Sequence, residues 1–290
     1  MKFGFVTSVA LGRSCIEEIF RIGGKLDVLV TLQDEVARKK SGRVYLDDIA
    51  AKHKTDLLKC KNINDDDIHR QLEPYGLDWL LIIGWSQIAK SRILSLPRRG
   101  VLGMHPTLLP EGRGRASIPW AILKGLKETG VTLFKLDEGV DTGPIIFQER
   151  IPLAPDETAT ALYEKVNESH RSLIANVWPL LVADTVRLMP QDASKATCWE
   201  GRSPADGRIT PAMGCEEAGR LVRAVTKPYP GAFVEHEGVR YIVWSGELRR
   251  GVECPHAVAH ENGALTIRLS DGIFISREFE QLIPPASATP

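Results

Sequence analysis

Few residues of this chain combine a reactive side chain with tightly fixed surroundings. His105 is one of them. It lies in "VLGMHPTLLPEGRGRA", residues 101–116, where it closes an apolar run and precedes Pro106. The hydroxyl of Thr107, two leucines, Pro110 and a Gly/Arg cluster follow. A surface loop has no need of Leu108 and Leu109, and a core strand has no need of His105 and two prolines. A lone histidine is usually structural or exposed. This one sits at the carboxyl end of a predicted strand, where open α/β sheets form their ligand crevices. Nearby, "KLDEGVDTGP" places Asp137 and Asp141 in a glycine-rich turn. Alone, such a turn reads as a hairpin. A carboxylate beside an imidazole, however, orients the ring and favours its protonated form, which makes a proton-transfer pair.

Other chemistries find little support. The first predicted strand runs into "SVALGRSC", not a Gly-x-Gly-x-x-Gly turn, and neither a nucleophile elbow nor a P-loop occurs. This argues against dehydrogenase, hydrolase and NTPase readings. Cys15, Cys60, Cys198, Cys215 and Cys254 are scattered, with no CxxC pair and no metal-ligand spacing. Such a set suits a reducing cytoplasm and chemically inert thiols, and no metal site is expected.

The elements that must position His105 follow from periodicity. "KFGFVTSV", "KLDVLVTL", "DWLLIIGW" and "GVLGMH" read as strands, the third apolar throughout as befits burial on both faces. "SCIEEIFRIGG" reads as a helix with a serine N-cap and a glycine stop, and "YLDDIAAKH", "DDDIHRQLEPYG" and "SRILSLP" as further helices. This alternation predicts a Rossmann-like, mostly parallel α/β sheet. After the helix "SIPWAILKG", "GVTLFKLDEGVDTGPIIFQERI" reads as a hairpin that adds an antiparallel part. A long helix follows, with Leu162, Val166, Leu173 and Val177 on its sheet-facing side. The stretch from about 190 to 210 is rich in small, polar and turn residues and reads as a linker. Beyond the helix "CEEAGRLVRAV", short alternating strands with glycine turns predict a small β-barrel, OB-like, and the tail "PPASATP" reads as disordered. The expected division is a catalytic domain over 1–195, a linker over 196–205 and the barrel over 206–290.

The 290 residues carry 37 basic and 37 acidic side chains, so the formal net charge is zero. That argues against a broad nucleic-acid footprint. No apolar run reaches membrane-spanning length, and the apolar N-terminus reads as a strand because Gly4, Thr7 and Ser8 interrupt it.

The stretch "HPTLLPEGRGRASIPWAILKGLKETGVTLFKLDEGVDTGPII" resembles the signature region of the formyltransferases that use 10-formyltetrahydrofolate. Their pattern is Asn-x-His-x-Ser-Leu-Leu-Pro, an Arg-Gly turn and an Asp-x-Gly-x-Asp-x-Gly loop. The resemblance extends upstream through "DWLLIIGWSQIAKSRILSLPRRG" and downstream to "TCWEGRSPADGRI" and "VRAVTKPYPGAF", nearly the whole chain. Two branches share the two-domain plan: methionyl-tRNA formyltransferases and nucleotide-linked amino-sugar formyltransferases. "GRGRASIPW" and "ATCWEGRSPADGRI" look most like the second, in particular the enzyme that formylates UDP-4-amino-4-deoxy-arabinose.

The resemblance implies a formyltransferase fold, 10-formyltetrahydrofolate as co-substrate, and the amine of a nucleotide-linked sugar as acceptor, for lipopolysaccharide or other glycoconjugate synthesis. Methionyl-tRNA is the alternative acceptor. It implies His105 and Asp141 as the catalytic pair and Thr107 in place of the family serine. Gln87, Ile88 and Ala89, together with Asp137, Glu138, Gly139, Val140 and Asp141, match the folate-binding stretches. Arg115 matches an arginine near the folate, its plain alternative being a surface ion pair. The barrel is expected to support the substrate or a dimer contact. One position departs from the pattern. Gly103 stands where the family has an asparagine that donates to the developing oxyanion, and losing one such donor costs roughly 10²–10³ in rate. The three explanations are a slow or inactive homologue or an engineered variant, another group filling the room glycine leaves, and an altered reaction; a catalytically impaired or repurposed folate- or nucleotide-sugar-binding homologue is therefore a further alternative.

Overall fold

The structure, a computed structural model, describes residues 1–37 and 43–282. Its first sheet is built from strands whose composition demands burial. β1 (Phe3–Val6), β2 (Val28–Leu32) and β4 (Trp79–Ile82) are buried at every residue, and β5 (Gly100–His105) at all but Met104. Strands covered on both faces carry such unbroken apolar runs. With β3 (Asp56–Cys60), β7 (Glu128–Lys135) and β8 (Ile145–Pro152) they form a seven-stranded sheet of order β3-β2-β1-β4-β5-β7-β8. β1 to β5 pair in parallel, and β7 runs antiparallel to β5 with His105 opposite Thr132. The predicted Rossmann-like sheet with an antiparallel extension is therefore present. β3 was not legible in the periodicity, because an edge strand reading "DLLKC" is half exposed and does not alternate cleanly.

Helices α1 (Ala10–Arg21), α2 (Asp34–Ala37), α3 (Asp47–His53), α4 (Asp66–Leu72) and α5 (Ser91–Leu94) connect the parallel strands. α1 corrects one expectation. It begins at Ala10, not after Ser14, and the Ser14 hydroxyl donates to the Leu11 carbonyl inside the helix. Gly23 does end it, with φ of +80°. After the short β6 (Arg113–Gly114) and α6 (Ser117–Leu123), the long α7 (Ala159–Ala183) buries Leu162, Val166, Leu173 and Val177 as the spacing requires. Ile174, Val177, Trp178 and Leu181 join Phe3, Phe5 and Ile16 in one core, with the Phe3 and Trp178 rings 4.4 Å apart. No helix among the described residues is long and apolar enough to cross a membrane.

The chain divides into two compact units. One holds residues 1–114, 129–151 and 165–198; the other holds 115–128, 152–164 and 199–290. The second unit contains α6, α8 (Cys215–Val225) and a five-stranded antiparallel sheet. After β9 (Cys198–Trp199), that sheet is formed by β10 (Ala232–His236), β11 (Val239–Arg250), β12 (Val258–Glu261), β13 (Ala264–Leu269) and β14 (Gly272–Leu282). Its order is β10-β11-β14-β13-β12, and register shifts between Val243 and Glu247 bend it into a half-barrel. This is the small C-terminal β-domain that the sequence predicts. The tail from residue 283 lies outside the described residues.

Candidate active site

His105 ends β5 and is buried, with 8% of its surface exposed. Its Nε2 lies 2.8 Å from the carbonyl oxygen of Gly112. A carbonyl only accepts, so Nε2 carries a hydrogen and donates it. Nδ1 is left as the basic nitrogen of the neutral ring. It faces Asp141 Oδ2 at 3.6 Å, beyond a hydrogen bond but within ion-pair reach once Nδ1 is protonated. Asp141 Oδ2 in turn accepts the Gly114 N–H at 2.8 Å. Asp141 has φ of +55°, a left-handed conformation that aspartate tolerates better than most residues. The structure thus brings His105 and Asp141 together, but the ring is oriented by Gly112 and the carboxylate by Gly114.

The loop that supplies those two backbone groups is itself braced. Thr197 Oγ1 accepts the Gly112 N–H at 2.8 Å, and the Thr197 carbonyl accepts the Arg113 N–H at 2.9 Å. Gln191 Oε1 accepts from Arg113 Nε (3.1 Å) and Nη2 (2.7 Å). Gln191 Nε2 donates to the carbonyls of Asp141 (2.8 Å) and Gly143 (2.7 Å). Gly143 is required there, since a Cβ would sit 1.8 Å from the Lys135 carbonyl oxygen. Sequence reasoning missed Gln191 and Thr197. Their segment has the composition of a linker, and nothing local reveals side-chain partners 48 to 85 residues away.

The predicted folate-binding stretches lie in the first unit. The side chain of Gln87 is occupied, with Oε1 accepting from Ile63 N–H and Nε2 donating to the Lys61 carbonyl, both at 2.9 Å. Asn64 donates to the Ile88 carbonyl at 2.9 Å. Ile88 and Val140 expose 75% and 59% of their surfaces, whereas Ala89 packs on the core. Asp137 Oδ1 accepts from the Gly139 N–H and the Thr142 hydroxyl, which closes the turn on itself and leaves Glu138 exposed at its tip. Arg115 falls in the second unit, is exposed, and its N–H donates to the Trp199 carbonyl.

Two residues near the end of β5 alter the sequence-based picture. Gly103 does not open onto empty space on its Cβ side. A Cβ there would lie 2.6 Å from Leu136 Cδ2 and 3.2 Å from its Cγ, so the leucine already occupies the position. A side chain at 103 would have to displace the end of Leu136. Thr107 is 1% exposed, and its hydroxyl has no hydrogen-bond partner among the described residues.

A second histidine also escaped the sequence reading. His170 on α7 is fully buried, and its Nδ1 donates to the Val166 carbonyl at 2.7 Å. Burial pushes its pKa down to about 4, against the opposing hydrogen bond to the Val166 carbonyl. His170 is therefore neutral at neutral pH.

Residues 22–178 match the family described as "Formyl transferase", and residues 202–281 match "Formyl transferase, C-terminal domain". The chain belongs to the formyl transferase family. Members of this family are enzymes that transfer formyl groups, so the chain is an enzyme of that class. A methionyl-tRNA formyltransferase of Agathobacter rectalis is 30% identical over 253 residues, spanning 87% of this chain and 81% of that protein. The solved N-formyltransferase from Helicobacter canadensis, in complex with folinic acid and dTDP-3-aminofucose, aligns with a TM-score of 0.72 at 17% identity. That alignment covers 97% of this chain and all of that one. The methionyl-tRNA formyltransferase from Clostridium thermocellum aligns with a TM-score of 0.61 at 20% identity, over 98% and 100% of the two chains. Likeness at these identities shows a shared formyl transferase fold; the acceptor must be argued from the site.

Proposed function

We propose that this formyl transferase moves a formyl group from 10-formyltetrahydrofolate to the primary amine of a nucleotide-linked amino sugar, in glycoconjugate synthesis. The observation that carries the chemistry is the His105 ring, with Nε2–H tied to Gly112 and Nδ1 facing Asp141. The folate supplies an activated formyl carbon. The amine must lose a proton as its bond to that carbon forms, and Nδ1 is the base that takes it. The imidazolium then faces the Asp141 carboxylate. Its Nε2–H stays with Gly112, so the ring keeps its orientation while Nδ1 returns the proton to the folate nitrogen whose bond to the formyl carbon breaks. The residues present fit this role. The orphan hydroxyl of Thr107 can bond a reacting oxygen, and the exposed faces of Ile88 and Val140 suit the flat rings of the pterin.

A sugar acceptor is supported by the "GRGRASIPW" segment and by the likeness to the Helicobacter enzyme, which was solved with a nucleotide-linked aminosugar. In this reading the first 195 residues carry the chemistry, and the C-terminal domain supports the acceptor or a dimer contact. One observation favours a second reading: the relative at 30% identity is a methionyl-tRNA formyltransferase. The deciding assay supplies 10-formyltetrahydrofolate with a panel of nucleotide-linked aminosugars or with methionyl-tRNA, and detects the formylated product by mass. Formylation of the tRNA and of no sugar overturns the first reading. With the acceptor in hand, His105→Asn is expected to lower kcat by about 10²–10⁴. Asp141→Asn, which keeps the shape of the carboxylate but removes its charge, should also lower kcat.

A further inference from the structure

We propose that Gln191 and Thr197 are positioning residues of the His105–Asp141 pair, and that the segment 189–198 is a clasp that sets both partners. This inference rests on the reading of His105 and Asp141 as the proton-transfer pair. The segment has the composition of a connector, but its hydrogen bonds converge on the site. Three consecutive residues, Gly112, Arg113 and Gly114, link everything. The Gly112 carbonyl holds His105 Nε2 while its N–H is held by Thr197. The Arg113 guanidinium is held by Gln191. The Gly114 N–H holds the Asp141 carboxylate. Gln191 closes the circuit from the other side by binding the Asp141 main chain.

Each contact constrains something chemical. The ring tautomer depends on where the Gly112 carbonyl points, and Thr197 grips the loop twice, through Oγ1 to Gly112 and through its carbonyl to Arg113. Gln191 is fixed as an amide. Two donors face its oxygen and two carbonyls face its nitrogen, so all of its donors and acceptors are engaged. Glutamate in its place would keep the Arg113 contact and turn a carboxylate oxygen toward the Asp141 and Gly143 carbonyls. Packing alone needs neither a hydroxyl at 197 nor an amide at 191. Positioning needs both.

The test compares the full chain with Thr197→Val, Thr197→Ser and Gln191→Glu. The first readout is the ¹⁵N spectrum of the His105 ring in histidine-labelled protein, assigned by its loss in His105→Asn. It requires no acceptor. We expect a ring protonated at Nε2 in the wild type and in Thr197→Ser, and a mixture of tautomers in Thr197→Val. The second readout is steady-state kinetics with the acceptor that the protein uses. Misplacing a reacting group by an ångström can cost about 10²-fold. Thr197→Val and Gln191→Glu should therefore lower kcat by roughly 10-fold to 100-fold with the donor KM little changed, while Thr197→Ser stays near wild type. Wild-type kcat and tautomer in both Thr197→Val and Gln191→Glu overturn the proposal. If His105→Asn retains wild-type turnover, the functional reading fails instead, and the ring spectrum still decides whether the clasp sets the tautomer.

Discussion

Two histidines of one unit show how surroundings assign roles to identical side chains. His105 has one nitrogen tied to a carbonyl and the other facing a carboxylate, so protonation of its ring finds an immediate counter-charge. His170 has its Nδ1 on a helix carbonyl and is fully buried, and so is held neutral at neutral pH. The neutral form has a consequence for stability. The unfolded chain binds a proton at His170 below about pH 6.5, whereas the folded chain resists it until about pH 4. The contribution of this burial is therefore complete above the ordinary histidine range and is lost as pH falls from there toward 4, by about 3 kcal/mol in all. His170→Gln should flatten the pH dependence of urea-unfolding stability between pH 7 and 4.5. An unchanged slope would mean that another group controls the acid limb. At this scale His105 and Asp141 were legible, because a histidine locked between an apolar run and a proline, and a carboxylate in a glycine turn, are unusual locally. Gln191, Thr197 and His170 were not. Their significance lies in partners distant in sequence, and an isolated glutamine or a histidine on a helix looks ordinary.

At the scale of elements, β5 between β4 and β7 decides what the site can contain. Gly103 pairs with Ile82 on one side and Phe134 on the other, so its backbone has little freedom to shift. Its Cβ direction is filled by Leu136, the first residue after β7. Placing asparagine at 103 alone should crowd the Leu136 side chain and destabilise the fold by about 1–3 kcal/mol. Combining Gly103→Asn with Leu136→Ala should recover part of that loss. If an oxyanion donor is what the site lacks, the double variant should also gain activity by up to about 10²-fold. Thermal unfolding and initial rates on the two variants separate packing from chemistry, and a fully stable single variant would contradict the packing account. The strands that carry the site were legible from their apolar runs. The leucine beside Gly103 was not, because which residues face one another across β5 and β7 is set by register.

At the scale of the whole molecule, zero net charge across 290 residues bears on the acceptor. A protein that grips tRNA through six or more phosphates loses about 10³-fold or more in affinity between 50 and 200 mM salt. A nucleotide-linked sugar carries few charges and should show a shallow dependence. Acceptor affinity measured across that range is expected to change little; a steep decline would favour the tRNA reading. The arrangement of an α/β sheet followed by a small β-domain was legible because each class of element has its own period. The partition of contacts was less so, since α6 and the first turns of α7 cluster with the later residues of the chain. The hydrogen bonds of Gln191 and Thr197 bear on how relatives can be recombined. A hybrid that borrows a C-terminal domain from another formyl transferase should be spliced after Cys198, not at the end of α7. A splice at Ala183 would import a foreign segment against the native Gly112–Gly114 loop, and the hybrid would inherit a well-packed sheet with a histidine aimed by someone else's residues.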